Sequence, residues 1–272
     1  MRLVTWNVQW SRGVDGTVDP ARIAGELRRI AEPDVVCLQE IASGFTDLPG
    51  SRGEDQPVAL GRELPEWDAL VGWGVDVPGA GRLRKRFGNM ILSRLPVGRV
   101  RRHSLPWLAS PGEPSMPRVA VEAIVSAPFG PLRIVSTHLE YYSAEHRAAQ
   151  IERLAQLRLE WIAERKQVDE DGPFRSQPGT RSTLVCGDFN LAPEDPLHQK
   201  ILDIGLVDAW QALHPGVPHP PTFRVHQRDE GESPYCCDFV FATPDLVPRL
   251  ASIRIDGDNQ ASDHQPVIVE LR

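Results

Sequence analysis

The sequence predicts an α/β protein, and three observations carry that prediction. Short apolar runs rich in β-branched residues recur from one end of the 272-residue chain to the other. Amphipathic helical stretches fall between those runs rather than in a block of their own. The composition, 41% hydrophobic and 25% charged, is that of an ordinary globular core.

The strands are read in order at LVTWNV from residue 3, DVVCLQE from 34, NMILS from 89, VAVEAIV from 119, RIVSTHL from 133, TLVCGDF from 183, CDFVF from 237 and PVIVEL from 266. The first helix has Asp19 as N-cap and Pro20 at its first position, with Ile23, Leu27 and Ile30 on one face, and stops at Glu32-Pro33. A longer helix starts after Ser143 and spaces Ile151, Leu154, Leu157 and Trp161 for burial; a third, shorter one follows Pro196. Linker-like stretches at about 43–57, 167–182 and 214–234 separate motifs that need one another, so the expectation is one domain over residues 1–272 with long loops, that at 167–182 a mobile one.

Several classes are disfavoured. No run approaches the ~20 apolar residues of a membrane span, and the start, MRLVTWNVQW, reads as a strand without a signal-peptide core. The four cysteines show no C-x-x-C spacing, which argues against a disulfide framework or a zinc site. A cytoplasmic protein, expected to be a monomer, follows from these features. A formal net charge of −7 lacks the basic footprint of a protein that grips long nucleic acid. Arg82, Arg84, Lys85 and Arg86 form a local basic run that is either a polyanion contact or a solvated loop.

The chemistry sits at strand ends. Asn7, Glu40, His138, Asp188, Asn190, Asp238, Asp263 and His264 each place a polar group at the edge of an apolar run. Burying one such group without partners costs about 1–3 kcal/mol, more for a charge, so the repetition implies convergence on a shared site. One acid at a strand end, taken alone, is as readily a turn former or a cap. Carboxylates and amides without a thiolate or His-x-His cluster make a hard-oxygen site suited to Mg²⁺ or Mn²⁺. Magnesium takes few protein ligands and leaves positions for phosphate oxygens, so a phosphate ester is the natural substrate. Walker A, G-x-G-x-x-G and G-x-S-x-G patterns are missing from the sequence.

The ordered set TWN, LQE, GN-x-ILS, STHL, GDFN, DF and SDH, running from Asn7 to His264, resembles the endonuclease/exonuclease/phosphatase superfamily. The resemblance implies a DNase I-like four-layer sandwich, with two mainly antiparallel sheets face to face, helices outside, and metal-dependent phosphoesterase activity at one edge. It implies Glu40 as principal ligand of Mg²⁺ or Mn²⁺, with Asn7 and Asp263 close by. His264 matches the active-site histidine, either a cation facing the scissile phosphate or a base, and Asp238 the acid that orients it. Asp188 matches the aspartate that orients or deprotonates the attacking water, and Asn190 the amide that holds that water or a phosphate oxygen. His138 stands where the family carries a phosphate-contacting residue, or one that protonates the leaving oxygen; Asn89 and Arg118 match cleft-lining strands and are read as phosphate contacts.

Gln9 and Ile41 stand where abasic-site endonucleases of the family often carry aspartate and lysine, and YCCDF lacks a usual arginine; with the acidic charge these departures disfavour that activity. The leading reading is phosphodiester hydrolysis by a nuclease or related phosphodiesterase, with nucleic acid a candidate partner. The alternatives are hydrolysis of a lipid, inositol or small-molecule phosphate and a non-catalytic phosphate-binding module of the same fold; a serine hydrolase on Ser262, Asp263 and His264 fails because triad members come from separate segments and no G-x-S-x-G elbow is present.

Overall fold

The structure is a computed structural model that describes residues 1–109, 112, 114–164, 179–226 and 233–272. Its first sheet contains β1 (Arg2–Asn7), β2 (Val35–Ser43), β3 (Asp68–Pro78), β4 (Arg84–Ser93), β11 (Leu250–Ile255) and β12 (Val267–Leu271), in the order β11-β12-β1-β2-β4-β3. Its second contains β5 (Val97–Ser104), β6 (Val119–Ala127), β7 (Gly130–His138), β8 (Thr183–Asp188), β9 (Val207–Asp208) and β10 (Asp238–Ala242), in the order β5-β6-β7-β8-β10-β9. Pairing is antiparallel except at the centre of each sheet, where β1–β2 and β7–β8 run parallel.

The period-two alternation of the strands sorts the apolar residues into layers. Leu3, Val35, Cys37 and Ile91 of the first sheet meet Val121, Ile134, Leu184, Cys186 and Val240 of the second in a buried core. On the outside, Val4, Trp6, Val36 and Leu38 pack against Ile23, Leu27 and Ile30 of α1 (Pro20–Ala31). On the other outside, Val135, Val185, Phe239 and Phe241 pack against Ile151, Leu154, Leu157 and Trp161 of α3 (Ala144–Ala163). The result is the four-layer sandwich of two mixed sheets that the resemblance implies. The caps also fall where read: Asp19 accepts from the N–H groups of Ala21 and Arg22, and Ser143 from that of His146.

Some elements escaped the sequence reading. Helix α2 (Gln56–Glu63) begins inside the stretch taken as linker and α5 (Ala209–Leu213) is a short turn capped by Asp208, whereas α4 (Pro196–Asp203) stands where the third helix was read. Strands β3, β5 and β11 were missed because they are edge-proximal and carry many exposed polar positions, which dilutes their apolar signal. The loop expected at 167–182 lies largely outside the described residues. The basic run sits on the β3–β4 hairpin, where Arg84 and Arg86 pair with Asp76 of β3 and Lys85 with Asp47 of the loop after β2, while Arg82 is exposed in the turn.

Two constraints hold the second sheet in register, one beside the site and one at the opposite end of β7. Gly187 has φ +139°, and a Cβ there would sit 1.9 Å from the Thr137 carbonyl oxygen. Glu122 of β6 and Arg133 of β7 are both fully buried and paired at 3.0 Å, with the Trp161 indole donating to Glu122 at 3.1 Å.

Replacing Gly187 with Ala is expected to lower the melting temperature sharply, by more than the ~1 kcal/mol ordinary for an alanine in place of glycine at positive φ, because β7 and β8 must separate. An unchanged melting curve would refute the close approach. Glu122 provides a pH test. Burial alone would raise its carboxyl, but His103 and Arg133 outweigh it and hold the group at about 2, against an ordinary 4.5. A depressed folded value means the stability is present above 4.5 and lost as pH falls towards about 2. Urea unfolding of the wild type should therefore weaken over that window, and Glu122→Gln should flatten the slope.

Candidate active site

One transverse row of the second sheet brings three of the expected side chains together. Asp188 is the register partner of His138 on one side and of Asp238 on the other. All three have the parity of Ile134, Cys186 and Val240, which face the inter-sheet core, so they close that core at the ends of their strands. Asn7 reaches them from the opposite sheet by the same logic, since it follows Leu3 and Thr5 on the inward face of β1. Its amide nitrogen donates to Asp188 Oδ2 at 2.9 Å and to Glu40 Oε1 at 3.1 Å.

Glu40 arrives by a different route. Plain alternation would place it with Val36 and Leu38 against α1. The β2–β4 register instead shifts between Leu38 and Ile41, Glu40 takes φ +60°, and Ile41 resumes the helix-facing layer. A β-bulge thus turns the carboxylate into the cleft.

Asp263 and His264 precede β12 and are fixed by buried partners. The Trp6 indole donates to the His264 carbonyl at 2.9 Å, and Ser262 Oγ donates to the Asn7 carbonyl at 2.8 Å. Ser262 is fully buried and engaged in this way, which removes it as a nucleophile. His264 Nδ1 lies 2.8 Å from Asp238 Oδ2, which also accepts from Thr222 Oγ1 at 2.6 Å. On its far side His264 Nε2 is 3.7 Å from Asp188 Oδ2, and His138 Nε2 is 3.4 Å from the same oxygen.

Glu40, His138, Asp188, Asp263 and His264 line a cleft of about 250 Å³ together with Asn190, Arg118, Gln9, Trp10, Tyr141 and Tyr142, and Asn7 and Asp238 stand behind them. Asn190 stands just past β8; its amide nitrogen donates to the Leu139 carbonyl at 2.9 Å, while its backbone N–H caps Asp188 Oδ1 at 2.9 Å. Asn89 stands apart. It lines a small adjoining hollow with Arg118 and His138, and its amide donates to the Val119 carbonyl at 2.8 Å, joining the two sheets. Arg118 lines both spaces, with Glu140 at 3.4 Å.

Burial pushes Glu40 up to about 7, with Asp263 reinforcing the rise, and burial also raises Asp188, to about 6. Asp263 is raised for the same reason. Burial disfavours the His264 imidazolium, but Asp238, Asp188 and Asp263 outweigh it and bring the group to about 10. His138 goes the other way: burial, then the charges of Arg118 and His264, hold it well below 6.5. One histidine is a cation at neutral pH and the other is neutral.

A divalent cation fits this set. Glu40 and Asp263 are oxygen donors in one cleft, each raised chiefly by burial, with Asp263 adding to the rise of Glu40 and Asp238 to that of Asp263, so a hard cation beside them would favour their charged forms. Asn7 turns its amide nitrogen to Glu40 and its oxygen to the Gln9 N–H at 3.0 Å, so it would ligate the ion only with its amide turned over.

Sequence reasoning missed four supports. Gln9 Nε2 holds Asp263 Oδ2 at 2.6 Å, Thr222 holds Asp238, Trp6 holds the His264 backbone, and buried Glu140 anchors the loop carrying Tyr141 and Tyr142 by accepting both N–H groups at 2.9 and 3.1 Å. Gln9 was noticed only as a departure from relatives. Nothing local marks Thr222, whose partner lies 16 residues away.

Comparison with known proteins gives concordant findings. The profile of the Endonuclease/Exonuclease/phosphatase family matches residues 4–264. An endonuclease/exonuclease/phosphatase from Beutenbergia cavernae superposes with a TM-score of 0.74 at 27% identity, covering 100% of this chain and 71% of that one. A 3′ phosphatase from Neisseria bound to a product DNA hairpin has the same fold, with a TM-score of 0.64 at 20% identity over 100% of this chain and 99% of that one. Nocturnin of Drosophila melanogaster is 31% identical over a stretch that takes in 25% of this chain and only 14% of that protein.

NMR titration of the imidazoles checks the electrostatics. His264 should stay protonated through neutral pH and titrate at about 10, and Asp238→Asn should bring it down towards the ordinary 6.5. Since its folded value is raised, the stability from the charged ring is full below 6.5 and lost as pH rises through about 10. A His264 resonance titrating at the ordinary value in the wild type would contradict the assignment.

Proposed function

We propose, from the premise that the chain belongs to the endonuclease/exonuclease/phosphatase family, that this phosphoesterase hydrolyses phosphodiesters with Mg²⁺ or Mn²⁺, as a nuclease or related phosphodiesterase. The observation that carries the reading is Asp188, a buried carboxylate within reach of Asn7, His138 and His264 at once. Glu40 and Asp263, with Asn7 beside them, would hold the metal, which would supply Lewis-acid stabilisation of charge building on the phosphoryl oxygens.

The rest is the work of side chains. Asp188 orients the attacking water and takes its proton as the water oxygen bonds to phosphorus and the bond to the leaving oxygen breaks. The backbone N–H of Asn190 fixes the Asp188 carboxylate for that task. The His264 imidazolium, oriented by Asp238, faces the phosphate as a cation and donates its proton to the departing oxygen. Neutral His138 hydrogen-bonds a phosphoryl oxygen, Arg118 adds positive charge, and Asn89 acts by holding the sheets together beside them.

Substrate preference follows from the rim. Tyr141 and Tyr142 are 40% and 62% exposed beside the cleft and Trp10 lines it, so flat rings are offered to a group such as a nucleobase. Three cations of the basic run are paired with Asp47 and Asp76, which leaves a short track at most for a long polyanion. The same reading keeps the chain as one domain over 1–272, monomeric and cytoplasmic. Its four cysteines are free and buried, and among the described residues no helix is long and apolar enough to cross a membrane.

A panel of phosphoesters at fixed metal concentration tests the proposal. Bis-p-nitrophenyl phosphate and short oligonucleotides should be cleaved with Mg²⁺ or Mn²⁺ and not after EDTA. His264→Ala should reduce turnover by about 10²–10⁴-fold. Turnover that survives both treatments contradicts the mechanism, binding without turnover supports a non-catalytic module, and cleavage of lipid or inositol phosphates alone redirects the substrate.

A further inference from the structure

A compact imidazole–carboxylate cluster lies outside the catalytic cleft, beside β10. His198 belongs to α4, Asp208 ends β9 and caps α5, and His219 lies in the chain beyond α5. His198 Nε2 is 3.0 Å and His219 Nε2 2.9 Å from the same oxygen, Asp208 Oδ2. The three atoms lie within 4.8 Å of one another. The other carboxylate oxygen, Oδ1, is held by the N–H groups of Trp210 and Gln211 at 2.8 and 3.1 Å, which aims Oδ2 at the two rings. The cluster is buried: His198 is 3% and Asp208 2% exposed, and the His219 side chain 7%. Phe239 and Phe241 pack on His198, and Trp210 and Phe239 on His219.

We propose that this cluster is a second metal site, which takes one borderline transition-metal ion, Zn²⁺ foremost, through His198 Nε2, His219 Nε2 and Asp208 Oδ2. Two imidazoles and one carboxylate are a zinc ligand set, and imidazole selects such ions over the Mg²⁺ suited to the oxygen donors of the cleft. Zinc bonds of about 2.0–2.2 Å put tetrahedral ligand atoms roughly 3.3 Å apart. The observed separations of 3.0 and 2.9 Å need to open only slightly. The backbone donors on Oδ1 orient the carboxylate from outside the ligand sphere, as supporting groups of metal ligands do. Without metal, each Nε2 carries the proton it shares with Asp208. On binding, both nitrogens give up that proton, to Nδ1 or to solvent, and water completes the fourth position on the side of His219, the most exposed of the three. The ion ties α4 and the His219 segment to Asp208 at the end of β9, which pairs with β10, the strand that carries Asp238.

The test is calorimetric titration of the chelator-treated full chain with Zn²⁺ in millimolar Mg²⁺, which keeps the catalytic cleft supplied, with thermal melts in parallel. One Zn²⁺ per chain should bind and raise the melting temperature, and Glu40→Gln in the cleft should leave this unchanged. His219→Ala should weaken binding by more than about 100-fold, and His219→Cys should restore it. Circular dichroism reports whether the metal-free variants are folded. If His219→Ala is not, His198→Gln, which keeps a hydrogen bond to Asp208, takes its place and should show the same loss. Equal Zn²⁺ binding by the wild type and these variants, or no saturable binding by the wild type, overturns the proposal and leaves the cluster a hydrogen-bonded tie.

Discussion

The confinement of several carboxylates at one end of an apolar inter-sheet core is the constraint on which this structure turns. Glu40, Asp188, Asp238 and Asp263 all lie in or beside the cleft, and burial pushes Glu40, Asp188 and Asp263 towards the neutral form. What keeps charge there is compensation: the His264 cation between Asp238 and Asp188, the Asn7 amide bridging Asp188 and Glu40, and Gln9 on Asp263. In the proposed reading a divalent ion completes that compensation, and the phosphate of the substrate meets that ion and the His264 cation rather than bare carboxylates.

The fold supplies the positions through strand parity and two exceptions to it. Parity alone delivers Asn7, His138, Asp188 and Asp238 to the end of the core. The exceptions are Gly187, whose positive φ lets β7 and β8 approach beside Asp188, and the bulge at Glu40, which turns a helix-facing residue inward. Further left-handed residues cluster at Gln9, Trp10 and Ser11, with φ of 45°, 43° and 62°. Such conformations cost of order 1–3 kcal/mol each. The Gln9 side chain binds Asp263 and the Gln56 side chain donates to the Trp10 carbonyl, so this turn is tied at both ends.

Much of this was legible in the sequence for a physical reason: a polar residue ending a buried strand is costly unless it has partners, and the ordered motifs named those partners. The strands that carry Asn7, Glu40, His138, Asp188 and Asp238 were all read, as were both long helices and their caps. The sequence could not convey the directions of individual side chains. Asn89 has the right neighbours, yet its amide joins β4 to β6 rather than reaching the cleft. Arg84, Lys85 and Arg86 look like a basic patch until the hairpin brings Asp76 beside two of them and the loop after β2 brings Asp47 beside the third. The cluster of His198, Asp208 and His219 has no sequence signature, because its members come from three segments with unrelated spacing.

The account stands most directly on the claim that the cleft acids bind one ion together. Crystals soaked in Mn²⁺ and measured at its absorption edge locate that ion without reference to activity. An anomalous peak in contact with the Glu40 and Asp263 carboxylates and adjoining Asp188 is the predicted result. A cleft without a peak at millimolar Mn²⁺, with manganese bound only elsewhere, would contradict it.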